Sequence, residues 1–196
     1  MTYIISKVEQ IVRKALERIP GHGYDHTQRV LKIALKLAKN YGRCIDVEIL
    51  ILATLLHDIG RAYETQKKKH HALISIEVAK NILEELGYPK EKISKVIEAI
   101  EAHSYTLGSK AKTLEAMILS DADKLDALGA VGIARCFIEA GRRGRSLEDS
   151  VRHFREKLLK LKDLMYTKEA KEMALNRHKF MLLFIKELEK ELRLER

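Results

Sequence analysis

The sequence is poor in residues that interrupt helices or cross-link a chain. Only two prolines and ten glycines occur in 196 residues, so periodic segments can run long between breakers. The two cysteines, Cys44 and Cys136, match no zinc or redox spacing. They fit ordinary packing in a reducing compartment. No apolar run reaches the roughly 20 residues of a membrane-spanning helix. The opening segment, Met1-Thr2-Tyr3-Ile4-Ile5-Ser6-Lys7, lacks the charged, apolar and small-residue regions of a signal peptide. A soluble, cytoplasmic protein is expected. Alternating apolar–polar runs, internal repeats and Gly/Ser-rich linkers are also missing, which excludes a sheet-based fold or an array.

What is present is helical. Hydrophobic residues make up 46% of the chain, enough for one domain with a real core. Lys+Arg 37 against Asp+Glu 28 gives a formal charge of +9. The basic residues are spread along helical faces and read mostly as solvated surface. The local exception, Arg142-Arg143-Gly144-Arg145, has no interleaved aromatics and is a weak nucleic-acid signal. Ile4, Ile5, Val8, Ile11, Val12, Ala15, Leu16 and Ile19 form a helical stripe that Pro20-Gly21 stops. A second helix is expected from a cap at Asp25 to about Tyr41, ended by Gly42, and a third from a cap at Asp46 to Gly60. Arg61 to Lys69 reads as a polar flap. Helices follow over about 71–86, 90–103, from Thr113 onward, 125–140, 147–165 and 167–194, with a loop over 104–112. The expectation is an all-α, single compact helical bundle.

The chain is organised around Leu55-Leu56-His57-Asp58-Ile59-Gly60-Arg61. An imidazole and a carboxylate end the apolar run Val47–Leu56, where their desolvation is costly unless something pairs with both. A metal ion pairs with both types of group, and so does ordinary packing; the dipeptide alone favours packing. Other candidate ligands also fall near helix ends or junctions: His26, His70-His71, His103 and Asp121. Convergence of several helix ends is how helical proteins build carboxylate–histidine metal sites. Histidine with aspartate suits Mn, Fe, Co, Ni or Zn ions.

In order, His26, His57-Asp58 and Asp121 resemble the H…HD…D signature of the HD-domain superfamily of metal-dependent phosphohydrolases. The flanking words carry the resemblance: Gly23-Tyr24-Asp25-His26-Thr27-Gln28-Arg29-Val30, Leu55-Leu56-His57-Asp58-Ile59-Gly60 and Asp121-Ala122-Asp123-Lys124-Leu125-Asp126-Ala127-Leu128-Gly129. It covers roughly residues 22 to 140, and the last word is similar to small stand-alone HD hydrolases of bacteria and archaea. It implies one HD domain over 1–196 and a divalent metal held by His26, His57, Asp58 and Asp121. Metal-activated water would attack phosphorus in a phosphomonoester or phosphoanhydride. His71 and His103 resemble the extra ligands of two-metal branches in which the HD aspartate bridges both ions. The Gly-Tyr-Pro word of the cyclic-dinucleotide branch is missing.

Other roles stay open. His71 and His103 could instead meet the phosphate or donate a proton to the leaving oxygen. Lys124, one helical turn beyond Asp121, can neutralise a phosphate oxygen or pair with Asp123 or Asp126. Arg29 can reach phosphate or Asp58, and Glu64 could position water. Tyr24 and Tyr105 could stack on a base, while His22, His153 and His178 match no word and read as surface or packing residues. The expected substrate is a nucleotide or related small phosphorylated metabolite, with no membrane and no nucleic acid as partner; a homodimer through the apolar end helices is open. Rivals are a non-catalytic HD-fold sensor of nucleotide or RNA, a cyclic-nucleotide phosphodiesterase, and a plain helical bundle with packed histidines.

Overall fold

The computed structural model describes residues 3–17, 19–64, 70–103 and 110–193. Among them there is no strand, and the helices run α1 (Tyr3–Leu16), α2 (Tyr24–Ala38), α3 (Val47–Leu56), α4 (His71–Glu85), α5 (Lys90–His103), α6 (Leu114–Asp126), α7 (Gly129–Arg142), α8 (Leu147–Glu156) and α9 (Lys168–Arg193). The all-α expectation is met. The chain divides into two compact units, Met1–Ala122 and Asp123–Arg196.

In the first unit, α3 is the central element, with α1, α2 and α5 packed around it. Ile49, Leu50, Leu52, Ala53, Thr54, Leu55 and Leu56 are all buried. A fully buried leucine or isoleucine contributes about 1.5–3 kcal/mol, so the helix is a firm base for the polar pair at its end. Its start is fixed as expected: the Asp46 carboxylate accepts hydrogen bonds from the amides of Glu48 and Ile49 at 3.1 and 3.2 Å. That cap contributes about 1 kcal/mol. The Asp46 amide in turn donates to Glu115 Oε1 at 2.8 Å.

Helix ends differ from the sequence reading in several places. Asp25 does not cap α2. Gly23 occupies the cap position without a side-chain bond, and Asp25 lies in the first turn, paired with Arg29 at 2.7 Å. α2 ends at Ala38, not Tyr41, and a 3-10 segment, Lys39–Cys44, follows. Gly42 breaks that segment with φ 52, a left-handed conformation that glycine adopts without a Cβ clash. α3 ends at Leu56, short of Gly60, and the supposed flap begins as a 3-10 turn over Ile59–Tyr63; 65–69 lie outside the described residues.

This turn rests directly on the start of α4. A Cβ at Gly60 would lie 2.2 Å from the His71 carbonyl oxygen and 2.5 Å from the Ser75 nitrogen. The Gly60 amide donates to Ser75 Oγ at 2.9 Å. Only glycine allows this approach, and it brings His71 beside Asp58.

In the second unit, α9 packs on α7 and on a 3-10 segment, Leu158–Leu164, which also meets α8. The single helix expected over 147–165 is therefore two pieces, broken at Lys157 with φ −127 and ψ −62. Ser146 Oγ caps α8 by accepting from the Asp149 amide at 3.1 Å. Phe137 lies 5.9 Å from Phe154 and 6.0 Å from Phe184 between ring centroids. The buried Asp126 pairs with Arg135 at 2.9 Å. No helix among the described residues is long and apolar enough to cross a membrane.

Candidate metal centre

Successive side chains on a helix point about 100° apart, so His57 and Asp58 can converge only where the helix stops. It stops there. His57 takes the last helical conformation, while Asp58 leaves it with φ −112 and ψ 11. Both side chains then turn to one side.

His57 is fully buried, and its Nδ1 lies 2.7 Å from the Thr54 carbonyl oxygen. A carbonyl only accepts, so Nδ1 carries the proton and Nε2 keeps its lone pair. That lone pair faces His26, which α2 supplies from its first turn; the two Nε2 atoms are 3.3 Å apart. Asp58 Oδ2 is 3.8 Å from His26 Nε2 and 4.0 Å from His57 Nε2. The three atoms lie on a circle of about 2.2 Å radius, close to the roughly 2.0–2.2 Å at which nitrogen and oxygen ligands bind zinc-like ions. Two imidazole nitrogens and a carboxylate oxygen, all buried, fit a divalent cation.

Asp58 has further partners. His22 Nδ1 donates to Oδ2 at 3.1 Å, and Arg61 Nε donates to the same oxygen at 2.7 Å. Burial pushes the Asp58 carboxyl up, but the Arg61 guanidinium and the His22 hydrogen bond outweigh it and hold the group well below the usual carboxylate range. The carboxylate is therefore ionised and ready as a ligand. On its other side, Oδ1 faces His71 Nε2 at 3.7 Å, while His71 Nδ1 faces Glu64 Oε1 at 3.6 Å. Burial, then the Arg61 charge, pulls the His71 imidazole down to about 3. At neutral pH it is uncharged.

His103 ends α5 and donates from Nδ1 to the Ile100 carbonyl, and its ring centroid is 5.1 Å from that of His57. His70 is the cap of α4, its Nδ1 accepting from the Ala72 amide. Among the described residues, His22, His26 and Asp58 form a group whose ligand atoms all lie within 4.8 Å of one another. His22, expected at the surface or in packing because it matches no motif word, belongs to this group. Asp121 is fully buried on α6 and is not in the group. Arg29 was expected on phosphate or Asp58; it pairs with the exposed Asp25, and Arg61 holds Asp58. Lys124 Nζ lies over the Tyr166 ring, 5.5 Å from its centroid. The Tyr24 hydroxyl donates to Glu9 Oε1 at 2.6 Å, and Tyr105 lies outside the described residues.

The profile of the HD domain matches residues 23–128. The chain belongs to the HD-domain family. Bacillus subtilis YpgQ is 36% identical over 180 residues, which are 88% of this chain and 85% of YpgQ. Its crystal structure in complex with ADP superposes with a TM-score of 0.76 at 33% identity, covering 95% of this chain and 97% of the other. An HD-superfamily hydrolase from Bacillus thuringiensis matches at 36% identity and a TM-score of 0.72 over 96% of each chain. Ribonuclease Y of Treponema denticola is 34% identical over 102 residues, 52% of this chain but only 18% of that protein. HD domains are metal-dependent phosphohydrolases, and this chain has the HD-superfamily hydrolase fold.

Proposed function

We propose that this HD domain is a metal-dependent phosphohydrolase acting on a nucleotide at a phosphomonoester or phosphoanhydride bond. One observation carries the reading: the buried triangle of His26 Nε2, His57 Nε2 and Asp58 Oδ2, with the His57 lone pair turned inward by the Thr54 carbonyl. These residues, with a carboxylate from α6, would hold a divalent ion. When bound, such an ion activates water and polarises a phosphoryl oxygen. Asp121 is the α6 carboxylate that the motif assigns.

The remaining groups have defined work. The Thr54 carbonyl fixes the His57 tautomer, and Arg61 and His22 orient Asp58. His71 is uncharged at neutral pH with its Nε2 toward Asp58 Oδ1. That favours a ligand or a proton acceptor over the donor role for His71. Oδ2 faces His26 and His57 while Oδ1 faces His71, so Asp58 would also serve a second ion held with the help of His71.

The ADP complex of YpgQ, a relative that spans nearly the whole chain, supports a nucleotide over other phosphorylated metabolites. The test is release of phosphate and pyrophosphate from nucleoside mono-, di- and triphosphates with Mn²⁺, Co²⁺ or Ni²⁺. Cyclic nucleotides and a short RNA, the latter prompted by ribonuclease Y, complete the panel. Turnover of a nucleotide that vanishes with a chelator is expected. No turnover of any substrate would favour the non-catalytic sensor.

A further inference from the structure

We propose that Arg61 is a displaceable counter-ion of Asp58. It holds the carboxylate oxygen that a divalent ion needs and passes to the substrate phosphate once the ion binds. This rests on the metal-centre reading above and deepens it. A carboxylate oxygen offers two lone pairs. Both of those on Oδ2 are engaged, by Arg61 Nε at 2.7 Å and His22 Nδ1 at 3.1 Å. Yet Oδ2 is the oxygen that faces His26 Nε2 and His57 Nε2. An ion joining these three atoms must displace one of the two partners.

The chemistry selects which one. His22 has ring nitrogens able to face a cation and already stands in a ligand group with His26 and Asp58. A guanidinium has no lone pair to offer, stays protonated, and is repelled by the ion. Arg61 is therefore the partner that yields. Its backbone stays in the 3-10 turn, and its side chain is only 14% exposed, so the displaced charge remains beside the site. Its planar fork matches two oxygens of a phosphate. Glu64 Oε2, 4.0 Å from Arg61 Nη1, limits how far the side chain can swing.

The experiment is calorimetric titration of metal-stripped wild type, Arg61→Gln and Arg61→Lys with Mn²⁺, followed by titration with a non-hydrolysable nucleoside triphosphate analogue at saturating Mn²⁺. Removing a charge-assisted hydrogen bond that competes with the ion is expected to tighten Mn²⁺ binding about tenfold in Arg61→Gln. The same variant is expected to bind the analogue about tenfold more weakly. A residue that only supports the fold would not strengthen Mn²⁺ binding. Equal or weaker Mn²⁺ binding, or unchanged analogue binding, overturns the proposal while wild-type binding leaves the metal centre standing. Wild type that binds no Mn²⁺ overturns both. If Arg61→Gln does not fold, Arg61→Lys carries the test. It keeps the charge but loses the fork, and it is expected to bind the analogue more weakly than wild type; equal binding overturns the proposal.

Discussion

Substituting Gly60 by alanine tests how the site is assembled. The new methyl would lie 2.2 Å from the His71 carbonyl oxygen, 2.5 Å from the Ser75 nitrogen and 2.8 Å from Ser75 Oγ, whereas ordinary contact begins at 3.4 Å. The two nearest atoms are backbone, so no side-chain rotation relieves the clash. The 3-10 turn and the first turn of α4 must part by roughly 1 Å. Overpacking of this kind costs about 1–3 kcal/mol. Weakening the buried bond from the Gly60 amide to Ser75 Oγ adds about 1–3 kcal/mol. Gly60→Ala should therefore lose roughly 2–6 kcal/mol in urea melts followed by circular dichroism. In a chain of this size that is about 4–24 °C in Tm. Ser75→Ala, which loses the bond without the clash, should lose about 1–3 kcal/mol. A Gly60→Ala variant within about 0.5 kcal/mol of wild type, the scatter of an ordinary surface substitution, would refute the close approach that sets His71 beside Asp58.

Two further outcomes follow from the same site. His71 is held at about 3 when folded, well below its ordinary value of 6.5. The unfolded chain therefore binds a proton there that the folded chain does not, and metal-free stability should fall as pH drops below about 6.5. The slope attributable to His71 is at most about 1.4 kcal/mol per pH unit. Wild type should lose this increment between pH 6.5 and 5 relative to His71→Gln; identical pH profiles of the two proteins would count against it. Asp121→Asn and Asp123→Asn, made separately, should differ sharply in Mn²⁺ affinity, because side chains two apart on a helix point about 200° apart. Equal loss in both would mean that neither carboxylate is a selective ligand.

Much of this arrangement is readable from the residues. The apolar run 47–56 has no polar face, which marks a buried helix, and Asp46 caps it. α5 keeps the expected bounds, Lys90–His103, because Pro89 precedes it and the periodicity is regular. The break at Lys157 is not readable, since no glycine or proline marks it and tertiary packing sets the backbone there. His22 carries no motif signal; only the loop before α2 brings it to Asp58. Arg61 had a local signal that helical spacing obscured. In a 3-10 turn, positions three apart eclipse each other, which places Arg61 over Asp58. Arg29, four residues after Asp25 on a regular helix, finds that partner instead.

The most direct measurement is metal binding by metal-stripped protein, wild type against Asp58→Ala, read by Mn²⁺ titration with helix content followed in parallel. A metal centre at His26, His57 and Asp58 predicts that wild type binds Mn²⁺, that Asp58→Ala loses at least a hundredfold in affinity, roughly 2.7 kcal/mol, and that nucleotide hydrolysis disappears with it while helix content is unchanged. Equal Mn²⁺ affinity and turnover in the two proteins would contradict it.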